Sequence, residues 1–111
     1  MALRVQPVSR IPSWRTAWRI RLAKREAARR GVTFWDTANS YDTYREIHQA
    51  LRRIGRTRSR VVIASKLEAR TARGATRQID RALREIGRDW LDIMLLHYVR
   101  EPLTAWSGAL D

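Results

Sequence analysis

The 111-residue sequence contains no cysteine, only three prolines and only five glycines. The absence of cysteine excludes a disulfide framework, thiolate zinc sites, iron–sulfur clusters and cysteine nucleophiles. Charged residues interrupt every apolar run, so none reaches the roughly 20 residues that a membrane helix needs. No apolar segment typical of a secretory signal follows the basic N-terminal region. We therefore expect no membrane association and no export, and we predict a cytoplasmic location.

Acidic residues are also scarce, since 11 Asp and Glu stand against 23 Lys and Arg, which gives a formal net charge of +12. Most of the excess lies in residues 1–30, whose only acid is Glu26. This segment has three interpretations: a patch for nucleic acid or an acidic partner, an organelle-targeting peptide, or a first helix with a solvated basic face. No nucleic-acid-binding motif is present. We favour the helix and expect no nucleic-acid partner.

The spacing of apolar residues predicts alternating helices and strands. Residues 1–16 lack a sustained period and form an irregular basic lead-in, and residues 17–111 form the domain. Helices are predicted over 14–30, 43–54 and 75–86, strands over 32–37, 61–64 and 91–96, and a further helical pattern near 102–111. Thr43 and Glu46 have capping-box spacing. The first and third strands lack a polar face, so we expect both faces of each to be buried.

The three predicted strands recur at nearly constant intervals. Their central residues Phe34, Ile63 and Met94 lie 29 and 31 positions apart, which is the length of a strand, a crossover helix and a return. Such alternation predicts adjacent parallel strands with right-handed crossovers. The fold class is therefore α/β. The pattern alone leaves open a doubly wound sheet and a segment of a (β/α)8 barrel, because both repeat the same unit.

Polar side chains lie where each predicted strand ends. Asp36 lies at the end of the first strand with Tyr41 five residues further on, and Lys66 and His97 lie at the ends of the second and third strands. The carboxyl ends of parallel strands share one rim, which is where sites form in this fold class. Each residue alone is explained as a cap, a packing residue or a solvent contact. A phenol has a reference pKa of about 10, but an ammonium stabilises its anion and a carboxylate orients the ammonium, so together they predict a proton donor.

Three motifs around these residues resemble the aldo-keto reductase superfamily. They are GVTFWDTANSY at 31–41, VVIASK ending at Lys66 and IGRDWLDIMLLH at 86–97, in the family's order and spacing. The resemblance extends over approximately Ala17 to Glu101. It implies a partial (β/α)8 TIM barrel with three to four parallel strands and crossover helices.

The resemblance also implies a role for each of the four rim residues. It makes Tyr41 the general acid, Lys66 and Asp36 the residues that tune it, and His97 the residue that polarises and orients a substrate carbonyl. Hydride would come from NADPH, with Asp36 also close to the nicotinamide ribose as a cofactor-binding residue. The implied substrate is a small aldehyde or ketone. No metal site is predicted.

Three departures from the family pattern modify these expectations. Asp42 replaces the family's usual glycine and adds a negative charge beside Tyr41, and the family's first strand is not recognisable in residues 1–16. The groups that hold the cofactor after strands five to eight are absent before Asp111. We therefore expect a fragment that is inactive alone, completed by a missing C-terminal half or by homo-oligomerisation. The alternatives are a small basic binding module and an inert remnant.

Overall fold

The computed structural model describes residues 13–111, with side chains from residue 18 onward. The helices and strands alternate as the sequence predicts: α1 (Ser13–Arg29), β1 (Phe34–Asp36), α2 (Tyr44–Arg53), β2 (Val62–Leu67), α3 (Ala72–Ile86), β3 (Ile93–Leu96) and α4 (Ser107–Leu110). Short 3-10 helices lie at Asn39–Tyr41, Gly55–Arg60 and Leu103–Trp106. Helix α1 begins inside the predicted lead-in, whose residues 1–12 lie outside the described part of the chain.

The three strands form one parallel sheet in the order β1-β2-β3, as the spacing predicts. Trp35 pairs with Ile63 and Ala64 with Ile93. Because side chains alternate along a strand, this register separates the sheet into two faces. Trp35 and Ile63 lie on one face, and Phe34 and Ile93 lie on the other.

The hydrophobic core lies between the Trp35 face of the sheet and the helices. Helix α2 contributes residues three or four positions apart, as expected for an amphipathic helix. The buried cluster consists of Ala28, Trp35, Tyr44, Ile47, Ala50, Leu51, Val61, Ile63, Ala82 and Ile86. The hydroxyl of Tyr44 lies 2.7 Å from Ser65 Oγ, so the two buried hydroxyls satisfy each other. This packing fixes the strands and hence the direction in which their ends project.

The opposite face of the sheet is open, which makes the prediction of strands buried on both faces wrong. The side chains of Phe34, Ile93 and Leu95 are 56%, 37% and 47% exposed. The crossover helices pack on the Trp35 face and leave these three side chains uncovered, whereas the small Ala64 in the central strand is buried between its neighbours on the same face. Apolar residues on both faces of a strand indicate that both faces are suited to burial. They do not show that helices of the same chain pack on both faces.

Two local predictions also differ from the structure. Thr43 precedes α2 but makes no capping hydrogen bond, because its Oγ1 lies 3.0 Å from Thr37 Oγ1. If the basic segment is a helix of this domain, its spacing predicts that Trp14, Ala17 and Trp18 pack on the sheet, yet Trp18 is exposed, because α1 packs mainly on α2. The side chains of Trp14 and Ala17 lie outside the described ones. Within residues 13–111, no helix has both the length and the apolar character needed to cross a membrane.

Candidate active site

The structure places the four predicted site residues together at the carboxyl ends of the strands. Asp36 ends β1, Lys66 is the fifth residue of β2, and His97 directly follows β3. Tyr41 ends the 3-10 helix that follows β1. Parallel pairing carries all three strand ends to the same edge, so residues up to 61 positions apart share one rim.

Asp36 and Lys66 form a close ion pair at this rim. Lys66 Nζ lies 2.8 Å and 2.7 Å from the two carboxylate oxygens of Asp36, and it also donates to the Thr37 carbonyl at 2.9 Å. The same ammonium lies 5.2 Å from the centroid of the Tyr41 ring, at cation–π distance. Lys66 therefore faces the ring of Tyr41 while Asp36 and Thr37 fix its position.

His97 is in contact with two tyrosine rings. Its side chain is buried, with the Tyr41 ring edge-on at a centroid distance of 5.7 Å and the Tyr98 ring stacked at 3.9 Å. The Tyr41 side chain is 46% exposed, so the phenol and the imidazole border a surface open to a small molecule. Two aromatic neighbours restrict the orientation of the imidazole.

Glu68 is a site residue that the sequence reasoning missed. Its Oε1 lies 2.9 Å from His97 Nδ1, and its Oε2 accepts a hydrogen bond from Asn39 Nδ2 at 3.0 Å. Burial opposes ionisation of this carboxyl group, but the hydrogen bonds from His97, Asn39 and Ser40 outweigh it and lower the pKa of Glu68. The available signal was strand alternation, because Glu68 lies two residues beyond Lys66 and so points to the same side.

Arg81 on α3 holds the loop that carries Tyr41. Its Nη2 donates to Asp42 Oδ1 at 2.6 Å, its Nη1 donates to the Asn39 carbonyl at 3.3 Å, and its Nε donates to Glu85 at 2.9 Å. Asp42 has a φ of 54°, a left-handed conformation that favours glycine. The Asp42 carboxylate is turned toward Arg81 on the protein surface. The negative charge that Asp42 adds to this loop therefore faces the guanidinium of Arg81.

We expect Glu68→Gln to lower the free energy of unfolding by about 1 kcal/mol at neutral pH, because a charge-assisted hydrogen bond to His97 is lost. The pKa of Glu68 is lowered from 4.5 in the folded chain. The stabilisation is therefore fully present above that value and is lost as the pH falls through the folded value. Denaturant unfolding of both proteins between pH 7 and pH 3 measures it.

The matched control is Asp80→Asn, which removes an exposed carboxylate that has no hydrogen-bond partner among the described residues. Its effect on stability should be small and should change little across the same pH range. A Glu68→Gln effect that persists unchanged at pH 3 would contradict an ionised Glu68 paired with His97.

Within residues 13–111, no group of three His, Asp or Glu side chains is arranged to hold a metal ion.

Comparisons with known proteins identify the family and agree with the fold. The model of the aldo/keto reductase family matches residues 19–108. An aldo/keto reductase from Brucella melitensis superposes with a TM-score of 0.74 at 22% identity, covering 82% of this chain and 36% of that one. Aldose reductase from Giardia lamblia gives 0.66 at 24% identity, covering 73% and 29%.

A third similar structure is the Bombyx mori aldo-keto reductase in complex with NADP, with a TM-score of 0.64 at 23% identity, covering 68% of this chain and 27% of that one. The chain thus spans about a third of the length of the solved structures it matches. No curated protein sequence matches it significantly. The family match covers most of the chain, and the sheet superposes on part of the family's barrel. The chain therefore belongs to the aldo/keto reductase family.

Proposed function

We propose that this chain carries the proton-donating part of the active site of an NADPH-dependent reductase of aldehydes or ketones. The observation that supports this proposal is the convergence of Asp36, Tyr41, Lys66 and His97 on one rim. A carboxylate fixes an ammonium, the ammonium faces a phenol, and the phenol borders a buried imidazole. Carbonyl reduction requires a proton donor beside an open surface.

In the proposed reaction Tyr41 donates its hydroxyl proton to the carbonyl oxygen. NADPH, when bound, supplies the hydride that adds to the carbonyl carbon, so the hydride and the proton together give the alcohol. Lys66 stabilises the phenolate that remains, because its ammonium lies over the same ring. Asp36 holds Lys66 in that position through both carboxylate oxygens. Charge that develops on the carbonyl oxygen is thereby matched by groups already in place.

His97 orients the carbonyl, and Glu68 positions His97. A carboxylate accepts hydrogen bonds, so the Nδ1 that faces Glu68 carries the proton. When the other ring nitrogen is also protonated, Nε2 donates to the carbonyl oxygen while Nδ1 donates to Glu68. Stacking on the Tyr98 ring restricts rotation of the imidazole, so both nitrogens keep these directions.

The rim residues fit the nicotinamide end of the cofactor. The Asp36 side chain is 53% exposed although it is paired, so its oxygens can still accept hydrogen bonds from ribose hydroxyls. Lys66 and Arg81 are each engaged by a carboxylate and are not free for a phosphate. We propose that the phosphates of NADPH are held outside this segment.

The open face of the sheet indicates a protein partner in addition to the small-molecule substrate. Phe34, Ile93 and Leu95 expose apolar surface on the side that an eight-stranded barrel encloses. We propose that further strands of a barrel, or a second copy of this chain, cover it. A small carbonyl compound is then the substrate, enclosed between the rim and that cover.

The proposed function is tested by grafting residues 19–108 in place of the matching third of the Brucella melitensis reductase. Turnover is followed as NADPH oxidation in the presence of an aromatic aldehyde. Lys66→Met is expected to lower kcat by about 10²-fold or more, since an electrostatic contact to the reacting group is removed. Arg84→Met is the matched control. Arg84 is exposed in the last turn of α3, at the end of the strands away from the rim, so its loss should change kcat less than about twofold.

Two outcomes would contradict the proposal. One is a folded graft in which Lys66→Met turns over as fast as the parent. The other is a folded graft that has no turnover at all, with a circular dichroism spectrum and a thermal midpoint that match those of the Brucella melitensis protein. Either result would show that the rim geometry does not serve carbonyl reduction.

A further inference from the structure

A cavity of about 300 Å³ lies at the opposite end of the strands from the candidate active site. It is formed where the ends of α2 and α3 meet the turns that precede β2 and β3. Its polar lining consists of His48, Arg52, Arg58, Ser59, Arg88 and Asp89, with Trp90 beside them. Three guanidinium groups and one carboxylate therefore line this cavity.

Arg88 is a buried part of this cavity. Its side chain is only 8% exposed, and its Nη1 donates to the Val61 carbonyl at 2.8 Å. Its Nη2 donates to the Arg58 carbonyl, and its guanidinium lies 5.4 Å from the centroid of the Trp90 ring. These contacts use two of the five N–H groups of Arg88 and fix the plane of the guanidinium. The side chain is thus held in place before any ligand arrives.

The charge in this cavity is only partly neutralised. Burial lowers the pKa of Arg88, Asp92 at 3.7 Å opposes that effect, and Arg58 lowers the pKa further by like-charge repulsion. Among the described residues, the guanidinium groups of Arg52 and Arg58 make no hydrogen bond or ion pair. An anion placed between Arg58 and Arg88 would relieve their repulsion.

One wall of the cavity is rigid. His48 Nδ1 donates to the Ile86 carbonyl at 2.9 Å, which fixes the imidazole. Gly87 follows with a φ of +76°, and a Cβ at this position would overlap the His48 ring. Only glycine adopts this positive φ without strain and also leaves room for the His48 ring. The α3–β3 turn is therefore shaped around the His48 ring.

We propose that this cavity binds a small phosphate-bearing molecule, with the phosphoryl group between Arg58 and Arg88 and Arg52 at the entrance. Guanidinium groups bind phosphate oxygens through paired N–H donors, which suits a site built from arginine rather than lysine. The volume is at the lower end of the range of small-molecule pockets. This site is separate from the proposed reductase site and does not depend on it.

The test is titration of the whole 111-residue chain with pyrophosphate at about 150 mM NaCl, where unspecific attraction is screened beyond about 8 Å. Binding is followed by ¹⁵N NMR at the Gly87 amide and the Trp90 indole. We expect saturable shifts at both. Arg58→Gln should weaken binding about tenfold, since one charge-assisted contact is lost.

Arg56→Gln is the matched control, because Arg56 lies on the same 3-10 helix and does not line the cavity. It removes the same charge and should weaken binding less than about twofold. Equal weakening by the two variants, or shifts that never saturate, would overturn the proposal and leave only general attraction of anions to a basic chain. Both substituted side chains are exposed, and the carbonyl that Arg88 contacts at position 58 is retained in the variant.

Discussion

Tyr41→Phe is expected to lower the turnover of the grafted reductase by about 10²- to 10⁴-fold, the range typical of losing a general acid. The substitution removes only the hydroxyl group, so the ring still lies beside Lys66 and His97. Carbonyl reduction then lacks its proton donor, while binding of the aldehyde changes little. Steady-state kinetics should show the loss in kcat rather than in KM.

Tyr98→Phe is the matched control for this variant. Tyr98 stacks on His97 at 3.9 Å, closer than Tyr41, so both substitutions remove a phenol hydroxyl next to the same imidazole. Only Tyr41 lies beside Lys66. We expect Tyr98→Phe to retain kcat within about threefold. Comparable losses in the two variants would assign the effect to the environment of His97 and would contradict Tyr41 as the acid.

The second large effect concerns stability. Ile63→Ala should lower the free energy of unfolding by about 2–5 kcal/mol, because Ile63 is fully buried in the central strand against the helices and its loss leaves a cavity. Ile93→Ala makes the same change on the open face of the neighbouring strand, where the side chain is 37% exposed. Ile93→Ala should lower the free energy of unfolding by less than about 1 kcal/mol. Urea denaturation of the 111-residue chain measures both.

This pair tests whether the sheet of the isolated chain has one covered face. Equal destabilisation by Ile63→Ala and Ile93→Ala would show that the face carrying Phe34 and Leu95 is buried in solution, and would contradict the open sheet described above. A dependence of the Ile93→Ala effect on protein concentration would identify a second copy as the cover.

The sequence predicted the order of helices and strands because each apolar period is a local property. It also predicted parallel pairing, since the intervals between Phe34, Ile63 and Met94 leave room for crossover helices. The capping box at Thr43 failed because Thr37, six positions earlier, competes for the same hydroxyl. That competition depends on where strand β1 ends relative to α2. No local pattern contains this information.

In the candidate site, too, local sequence patterns predicted some features, whereas contacts between distant residues determined others. Asp36, Lys66 and His97 could be placed at one rim because each lies where a strand ends. Glu68 and Arg81 could not, because their roles depend on partners far along the chain: Glu68 contacts His97, 29 positions away, and Arg81 contacts Asp42, 39 positions away. The identity of Asp42 was visible in the sequence, but the direction of its carboxylate was not.

The distribution of positive charge illustrates a further limit. Counting along the sequence placed the excess in residues 1–30. Folding brings Arg52, Arg58 and Arg88 around one cavity, although Arg88 lies 30 positions after Arg58 in the sequence. Charge density on a folded surface depends on which turns meet. In this chain the turns before β2 and β3 meet at the end remote from the candidate active site.

The assignment of this rim to carbonyl reduction is tested by following the hydride from NADPH into the product. The grafted reductase is given NADPH in which both hydrogens at nicotinamide C4 are replaced by deuterium, and the product alcohol is examined by mass spectrometry. We expect one deuterium on the carbinol carbon and strong loss of this product in Tyr41→Phe but not in Tyr98→Phe. A product without deuterium, or one formed equally by the Tyr41→Phe variant, would contradict the assignment of this rim to carbonyl reduction.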